Sequence, residues 1–448
     1  MPQQVEAVDD ADHAAAGTSG AAAPDHGSES DPPESDVESG PVEEPAVAIP
    51  MVREQLRRVA GGDLFSPQTV AIGPYHQRAG GPSCPFPWTE GEKRKAVRHV
   101  ATLIGEADVA RLKLLVAQME PLVRECYTHP LHHTMDSPQV LSRMLLHDGC
   151  YVLTFFLDFA LPPHSSNAST TTNAIAARDS TLVRDILYLV ENQIPLFLLT
   201  RMLDHIRGSV AVLPGQNSAV ECIAGPVRQL LHKQLYISQQ QHNSSTSSTC
   251  SDLLHLVHSY FRRRGPPPQE EDDTAPVFGP DEQWTILDIG HDGGTLYIPF
   301  LRVGASTLTM LRNLMALEER LEDRPVTAYC VFLSQLACTA EDVDLLQRSE
   351  VLEHFLGSDD EAAGGLADLC NGVVLDIDNV RRNYLKPTWH HLDRRCRMPL
   401  HNFKGLFRDK YCRSVFYRLV FFVALVLFLC QVTQVTYAVL AYHRPPKQ

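Results

Sequence analysis

Apolar positions along most of the chain recur every three or four residues, the spacing of helices that bury one face. Such a pattern runs from Thr89 to about Cys126, and Thr89 with Glu92 has the spacing of a capping box. Ser137-Pro138 places a capping residue before proline at the first helical position, where a missing N–H costs nothing, and predicts a helix toward Phe159. Ser180 can cap the apolar run Leu182 to Leu203. Pro195 must kink or split that run, because proline removes a ladder hydrogen bond and clashes with the preceding turn. Thr339 to Asp342 predicts another helix start, with Gly357 as its stop. One segment has a strand pattern. Thr285 to Ile289 and Thr295 to Ile298 flank Gly290-His291-Asp292-Gly293-Gly294, whose turn chemistry predicts a β-hairpin. The predicted fold class is mainly α: a helical cytosolic domain with a minor β-hairpin, plus one C-terminal transmembrane helix. Polar stretches 164–180, 239–251 and 262–281 read as surface loops.

The transmembrane helix rests on Leu419 to Tyr442. These residues carry no formal charge and are apolar or aromatic apart from Gln431, Thr433, Gln434 and Thr436. At 1.5 Å per residue a helix of this length reaches about 36 Å, enough to cross a ~30 Å hydrocarbon core with some tilt. A long buried helix of a soluble domain is the weaker reading, since such helices rarely lack charge over this length. Residues 381–418 hold 11 Lys or Arg against two Asp. The positive-inside bias therefore predicts a cytosolic N-terminal body and a single-pass, tail-anchored protein with a short tail, 443–448, on the far side. Gln431 and Gln434 share a helical stripe with Ala438 and Ala441, a pattern that favours weak self-association through the span.

Charge changes the picture of the N-terminus. The chain has 448 residues and a net charge of -15. Residues 1–50 contain 12 acidic residues and no Lys or Arg, so the remaining 398 carry only -3. The acidity belongs to a tail, 1–46, which lacks aromatic residues and reads as disordered. An acidic docking peptide, or a phosphorylation target at Ser28, Ser30 and Ser35, is the alternative use. A nearly neutral body argues against general nucleic-acid binding. The 11 cysteines include no C-x-x-C pair and read as reduced thiols. The organisation that follows is a helical domain over 47–385, a basic juxtamembrane segment over 386–418, the span over 419–442, and the tail.

Several polar clusters invite a chemical reading. Glu191-Asn192-Gln193-Ile194-Pro195 lies between two apolar runs, where Pro195 frees backbone carbonyls that the three polar side chains can satisfy. A structural bend is preferred over catalysis. Gly73-Pro74-Tyr75-His76 reads as a tight turn with an aromatic anchor, although His76 has the chemistry of a general base. Cys150, after Asp148 and Gly149, sits in an apolar helical run and reads as a packed thiol rather than a nucleophile. His129, His132 and His133 with Cys126 are the tempting metal group, but their spacing fits no standard zinc signature and Pro130 interrupts the helix that would align them. The Walker, dinucleotide, G-x-S-x-G and H-E-x-x-H motifs are absent. No catalytic residue, cofactor-binding residue or metal ligand is predicted. The run Arg381 to Arg418 reads as a lipid-attracting flank, with nucleic-acid binding through Trp389, Phe403, Phe407 and Tyr411 as the weaker alternative.

Taken in order, these landmarks resemble the plant family called domain of unknown function 247. They begin with Ile72-Gly73-Pro74-Tyr75-His76, where Ala71 replaces the usual Ser, and Glu90 with Lys93, where Thr89 stands in a Met position. Asp148-Gly149-Cys150-Tyr151-Val152-Leu153 and Asp185 through Leu196, with Glu191 to Pro195 intact, follow. Leu253 to Leu256, Tyr297-Ile298-Pro299, Asn313 to Glu318 and Asp342-Val343 continue the series, which covers roughly residues 49–442. The A-x-E-L-x-x-A-G-V-x-F element expected between Phe261 and Trp284 is not recognisable. The resemblance implies no established catalytic chemistry. It implies a membrane-anchored plant protein, at the plasma membrane, of a kind some of whose members sit at grass self-incompatibility loci. The expected function is non-enzymatic recognition or signalling through an unknown protein partner, with anionic lipid bound by the basic flank. A membrane-tethered enzyme with an unrecognised site is the alternative.

Overall fold

The computed structural model describes residues 48–60, 64–76, 86–160, 180–209, 218–234, 236–237, 250–261, 285–292, 295–376, 379, 382–397 and 415–443. The acidic tail, most of the three polar stretches, the expected element between Phe261 and Trp284, the aromatic positions 403, 407 and 411, and residues 444–448 lie outside them.

The described residues form α1 (Glu54–Ala60), α2 (Pro87–Ile104), α3 (Glu106–Glu125), α4 (Pro138–Ala160), α5 (Ser180–Leu187), α6 (Leu196–Ser209), α7 (Ala219–Lys233) and α8 (Leu253–Tyr260). Then come β1 (Gly290–Asp292), β2 (Thr295–Tyr297), β3 (Leu301–Val303), α9 (Ala305–Glu318), α10 (Pro325–Leu336), α11 (Ala340–Arg348), β4 (Leu352–His354), α12 (Asp359–Leu369), α13 (Lys386–Cys396) and α14 (Val415–His443). In the body, α4 packs against α2, α3, α6 and α7, while α9, α10, α11 and α12 form a second set of mutual contacts. Helices α5 and α8 touch each other and α9, so one apolar core runs through both sets.

Local chemistry accounts for many of the helix ends. Asp252 caps α8 by accepting the His255 N–H at 2.9 Å, and Ser358 caps α12 through the Glu361 N–H at 3.1 Å. The capping box at Thr339 forms in full: its hydroxyl accepts the Asp342 N–H at 3.2 Å, and Asp342 accepts the Thr339 N–H at 3.0 Å. That helix ends at Arg348 rather than at Gly357, because Glu350 turns the chain with φ of 56° and leads into β4.

Three further expectations change. The pattern from Thr89 to Cys126 is two helices, broken at Gly105 with φ of 84°. Thr89 is not a cap; it is buried in the first turn and donates to the Thr69 carbonyl at 2.6 Å. The hairpin pairs Gly290 with Tyr297 and Asp292 with Thr295, so Gly290 to Asp292 are strand rather than turn, and Thr285 to Ile289 precede the strand as a buried turn segment. A second ladder, parallel and unforeseen, joins β3 to β4 with Leu301 opposite Leu352.

Among the described residues two helices are long and apolar enough to cross a membrane. Helix α4 is an element of the packed body, with Leu141, Leu145, Asp148, Val152 and Phe156 buried. Helix α14 differs: none of Phe422–Leu440 is buried. The basic segment begins with α13, whose Trp389 packs edge-on against Phe332 at 5.5 Å and whose Thr388 is buried.

Candidate functional site

The segment between α5 and α6 holds Glu191-Asn192-Gln193, and all three side chains are buried. Pro195 cannot continue a helix from α5, so the last carbonyls of α5 need other donors. Asn192 Nδ2 donates to the Asp185 carbonyl at 2.9 Å, and Gln193 Nε2 donates to the Ile186 and Leu189 carbonyls at 3.2 and 2.9 Å. The same side chains reach outward. Asn192 Oδ1 accepts the Ile72 N–H at 2.7 Å and its amide donates to the Val70 carbonyl; Gln193 Oε1 accepts the Leu253 N–H at 3.2 Å. The bend is thus a junction where residues 64–76, α5 and α8 are stitched together.

Carboxylates complete the stitching. Asp185 Oδ2 accepts three successive N–H groups, from Gln68, Thr69 and Val70, at 2.9, 2.6 and 3.0 Å. Asp148 accepts the Gly73 N–H at 2.9 Å on one oxygen and the Lys93 ammonium at 2.7 Å on the other. Burial raises both Asp pKa values above their ordinary value, against the opposing pull of these donors. Burial likewise lowers Lys93, but Asp148 and Glu90 outweigh it and hold the ammonium above its ordinary value. Gly73 has φ of 70°, and a Cβ there would lie 2.3 Å from the Gln193 carbonyl oxygen, so only glycine lets the 64–76 segment approach the bend this closely. At Gly149 on α4 a Cβ would meet Met202 Sδ at 2.5 Å, the flexible end of that side chain rather than backbone.

Glu191 faces another way. It accepts the Val52 N–H at 2.7 Å and pairs with Arg57. His76 Nε2 stands 3.4 Å from its second oxygen, within ion-pair reach but long for a hydrogen bond. Burial pushes this carboxyl up, yet His76, Arg57 and the Val52 N–H together hold it below its ordinary value. His76 and Glu191, which the sequence leaves unconnected, are therefore neighbours. The other candidates do not converge. Burial pushes the Cys150 thiol up to about 12. Cys126 Sγ contacts the Leu122 carbonyl at 3.4 Å, while His132 and His133 lie ring against ring at 3.9 Å. Among the described residues no three His, Cys, Asp or Glu side chains are grouped to hold a metal.

A cleft of about 940 Å³ adjoins the junction at Arg57 and Val190. Among the described residues its walls come from the segment before α1 and α1 itself, from the end of α9 and the turn after it, and from Val374, Asp376 and Arg382. Five arginines line it: Arg53, Arg57, Arg320, Arg324 and Arg382, against Glu54, Glu319 and Asp376. Arg53 forks onto Glu319, with Nε 2.9 Å from one oxygen. Arg320 donates to the Thr128 hydroxyl at 3.1 Å. Arg324 donates to the Val374 and Glu319 carbonyls at 3.2 and 2.9 Å, and its Nε is buried with no hydrogen-bond partner among the described residues. Sequence reasoning missed four of the five and read Arg382 only as part of the basic flank, because a separation of 266 positions between Arg53 and Glu319 leaves no local pattern to read.

The plant family DUF247, described as a plant protein of unknown function, matches residues 49–284 and 275–430. A putative UPF0481 protein of Arabidopsis thaliana is 30% identical over 121 residues, which are 26% of this chain and 22% of that protein. The chain thus spans about a fifth of that relative's length. No solved structure matches.

Proposed function

We propose that this chain, which belongs to the plant DUF247 family, is a single-pass membrane-anchored protein that recognises a partner rather than transforming a substrate. The observation that carries the reading is α14, an apolar helix with no buried residue from Phe422 to Leu440, attached to a body that has its own packed core. Outside a bilayer that helix would present continuous apolar surface to water, which soluble monomers avoid. The basic residues before it favour a cytosolic body and contact with anionic lipid at the plasma membrane.

Recognition is favoured over catalysis by how the motif residues are used. Asp148, Asp185, Asn192 and Gln193 spend their hydrogen bonds holding backbone segments together. Cys150 is buried and far from thiolate at neutral pH. Trp389, offered by the sequence for base stacking, packs on Phe332, which favours lipid over nucleic acid for the basic run. The test is a chain stopped before Leu419. It should move to the soluble fraction and lose the protein neighbours that proximity labelling finds around the intact chain. A truncated chain that resists carbonate extraction would mean a second membrane attachment and would sink the topology.

A further inference from the structure

We infer that the arginine-lined cleft is a binding site for a compact phosphorylated ligand, a small molecule or lipid headgroup bearing at least two negative charges. Among the described residues eight charged side chains line it, five arginines and three acids, an excess of two positive charges in a chain whose net charge is -15. The excess is not spent internally. Arg53 and Arg57 are matched by Glu319 and Glu191, and Glu54 turns to Arg58 at 3.1 Å. Arg320, Arg324 and Arg382 have no carboxylate partner among the described residues.

Two of these three are nevertheless held in place. The Thr128 hydroxyl fixes Arg320, and the Val374 and Glu319 carbonyls fix Arg324. Neutral acceptors position a guanidinium without cancelling its charge, which is how a pre-organised anion site differs from a salt bridge. The buried Nε of Arg324 is a donor awaiting an acceptor, and buried donors left unpaired are rare. Planar guanidinium forks match phosphate oxygens two at a time. A single carboxylate would leave the charge excess uncompensated, whereas a bisphosphate or pyrophosphate group would satisfy it. The volume falls within the range of small-molecule sites, and Met51, Val190, Ala316 and Val374 offer apolar surface to an uncharged scaffold.

The inference rests on the recognition reading only in taking the ligand as bound and left unchanged. The full chain in phosphatidylcholine nanodiscs is titrated with inorganic pyrophosphate by calorimetry, beside a phosphate-release assay. Arg320→Gln and Arg382→Gln should each weaken binding by about tenfold or more, while Arg111→Gln, an equal charge loss on the exposed face of α3, should change it by no more than ~twofold. Arg324→Gln should weaken it as well; because Arg324 also ties down its turn, its melting temperature is read alongside, and the other two variants carry the test. Adding a phosphatidylinositol bisphosphate to the discs assigns the source: competition with pyrophosphate points to a lipid headgroup, its absence to a soluble ligand, and either upholds the site. No binding by the wild-type chain, cleft variants that bind as it does, or equal loss in Arg111→Gln would overturn it. Binding followed by phosphate release would uphold the site and overturn the non-enzymatic reading instead.

Discussion

Lys93 and Asp148 form a 2.7 Å ion pair in which neither side chain reaches solvent. The pair ties α2 to α4, and the second Asp148 oxygen ties both to Gly73. Removing one member of a buried pair strands the other charge, at about 3–5 kcal/mol. Lys93→Met should therefore cost roughly that much stability in urea melts, and the Lys93→Met, Asp148→Leu double variant should cost less than the sum of the two singles. A Lys93→Met chain as stable as wild type would mean that the ammonium contributes nothing to the fold.

Asn192 makes three hydrogen bonds at the junction, to two separate segments. Asn192→Ala orphans the Ile72 N–H and the Val70 and Asp185 carbonyls together. Each unpaired buried group costs about 1–3 kcal/mol, so a lower melting temperature with a matching loss of protein level is expected. An unchanged melting temperature combined with lost biological activity would identify a functional site in place of a structural one.

Gly73 and Gly105 make a paired test, because both have positive φ but only Gly73 is crowded. Gly105→Ala should cost about 1 kcal/mol, the backbone penalty alone. Gly73→Ala adds a collision with the Gln193 carbonyl, a backbone atom that cannot swing aside, and should cost several times as much. Equal thermal shifts in the two variants would show that the segment around Gly73 can move away from the bend.

The features legible in the sequence were those set by neighbouring residues. Ser137-Pro138 and the Thr339 capping box mark helix starts that form where expected, and Pro195 separates α5 from α6 as its chemistry requires. The structural use of the Asn192 and Gln193 amides follows from the same proline. The failures share one cause. The Thr89 hydroxyl goes to Thr69 across 20 residues, and Glu191 meets Arg57 across 134, so tertiary contacts decide what those side chains do. The cleft was invisible for that reason. Nothing local distinguishes Arg53 and Arg320 from solvated surface arginines, and Arg382 reads only as one member of the basic run before the span.

Glu191 sets an acid limit. Its carboxyl is held below its unfolded value, so its contribution is fully present above pH ~4.3 and is lost as pH falls through the folded value. Asp148 and Asp185 act oppositely: their raised values mean that ionisation costs stability as pH rises through the carboxylate range. The groups facing Glu191 are His76, Arg57 and the Val52 N–H. Glu191→Gln should be destabilised relative to wild type at neutral pH, and the gap should narrow in acid, where the wild-type side chain becomes neutral as well. Denaturant melts of both chains across that range decide it; a gap independent of pH would mean that the charge of Glu191 is irrelevant.

The apolar helix carries the last prediction. Its two threonines are satisfied within the helix: Thr433 Oγ1 donates to the Cys430 carbonyl at 2.8 Å, and Thr436 Oγ1 to the Thr433 carbonyl at 3.0 Å. Gln431 and Gln434 are exposed on α14, and their amides make no hydrogen bond among the described residues. In hydrocarbon an amide without a partner is costly, and Ala438, further along that stripe, would let a second backbone approach. Either the amides pair across two helices or they reach water and headgroups at the far interface. The first outcome predicts weak self-association of residues 415–443 in a reporter of transmembrane pairing, at a strength of about 1–2 kcal/mol. Gln431→Leu with Gln434→Leu should abolish it. A double variant that signals at the wild-type level would leave the helix as an anchor alone.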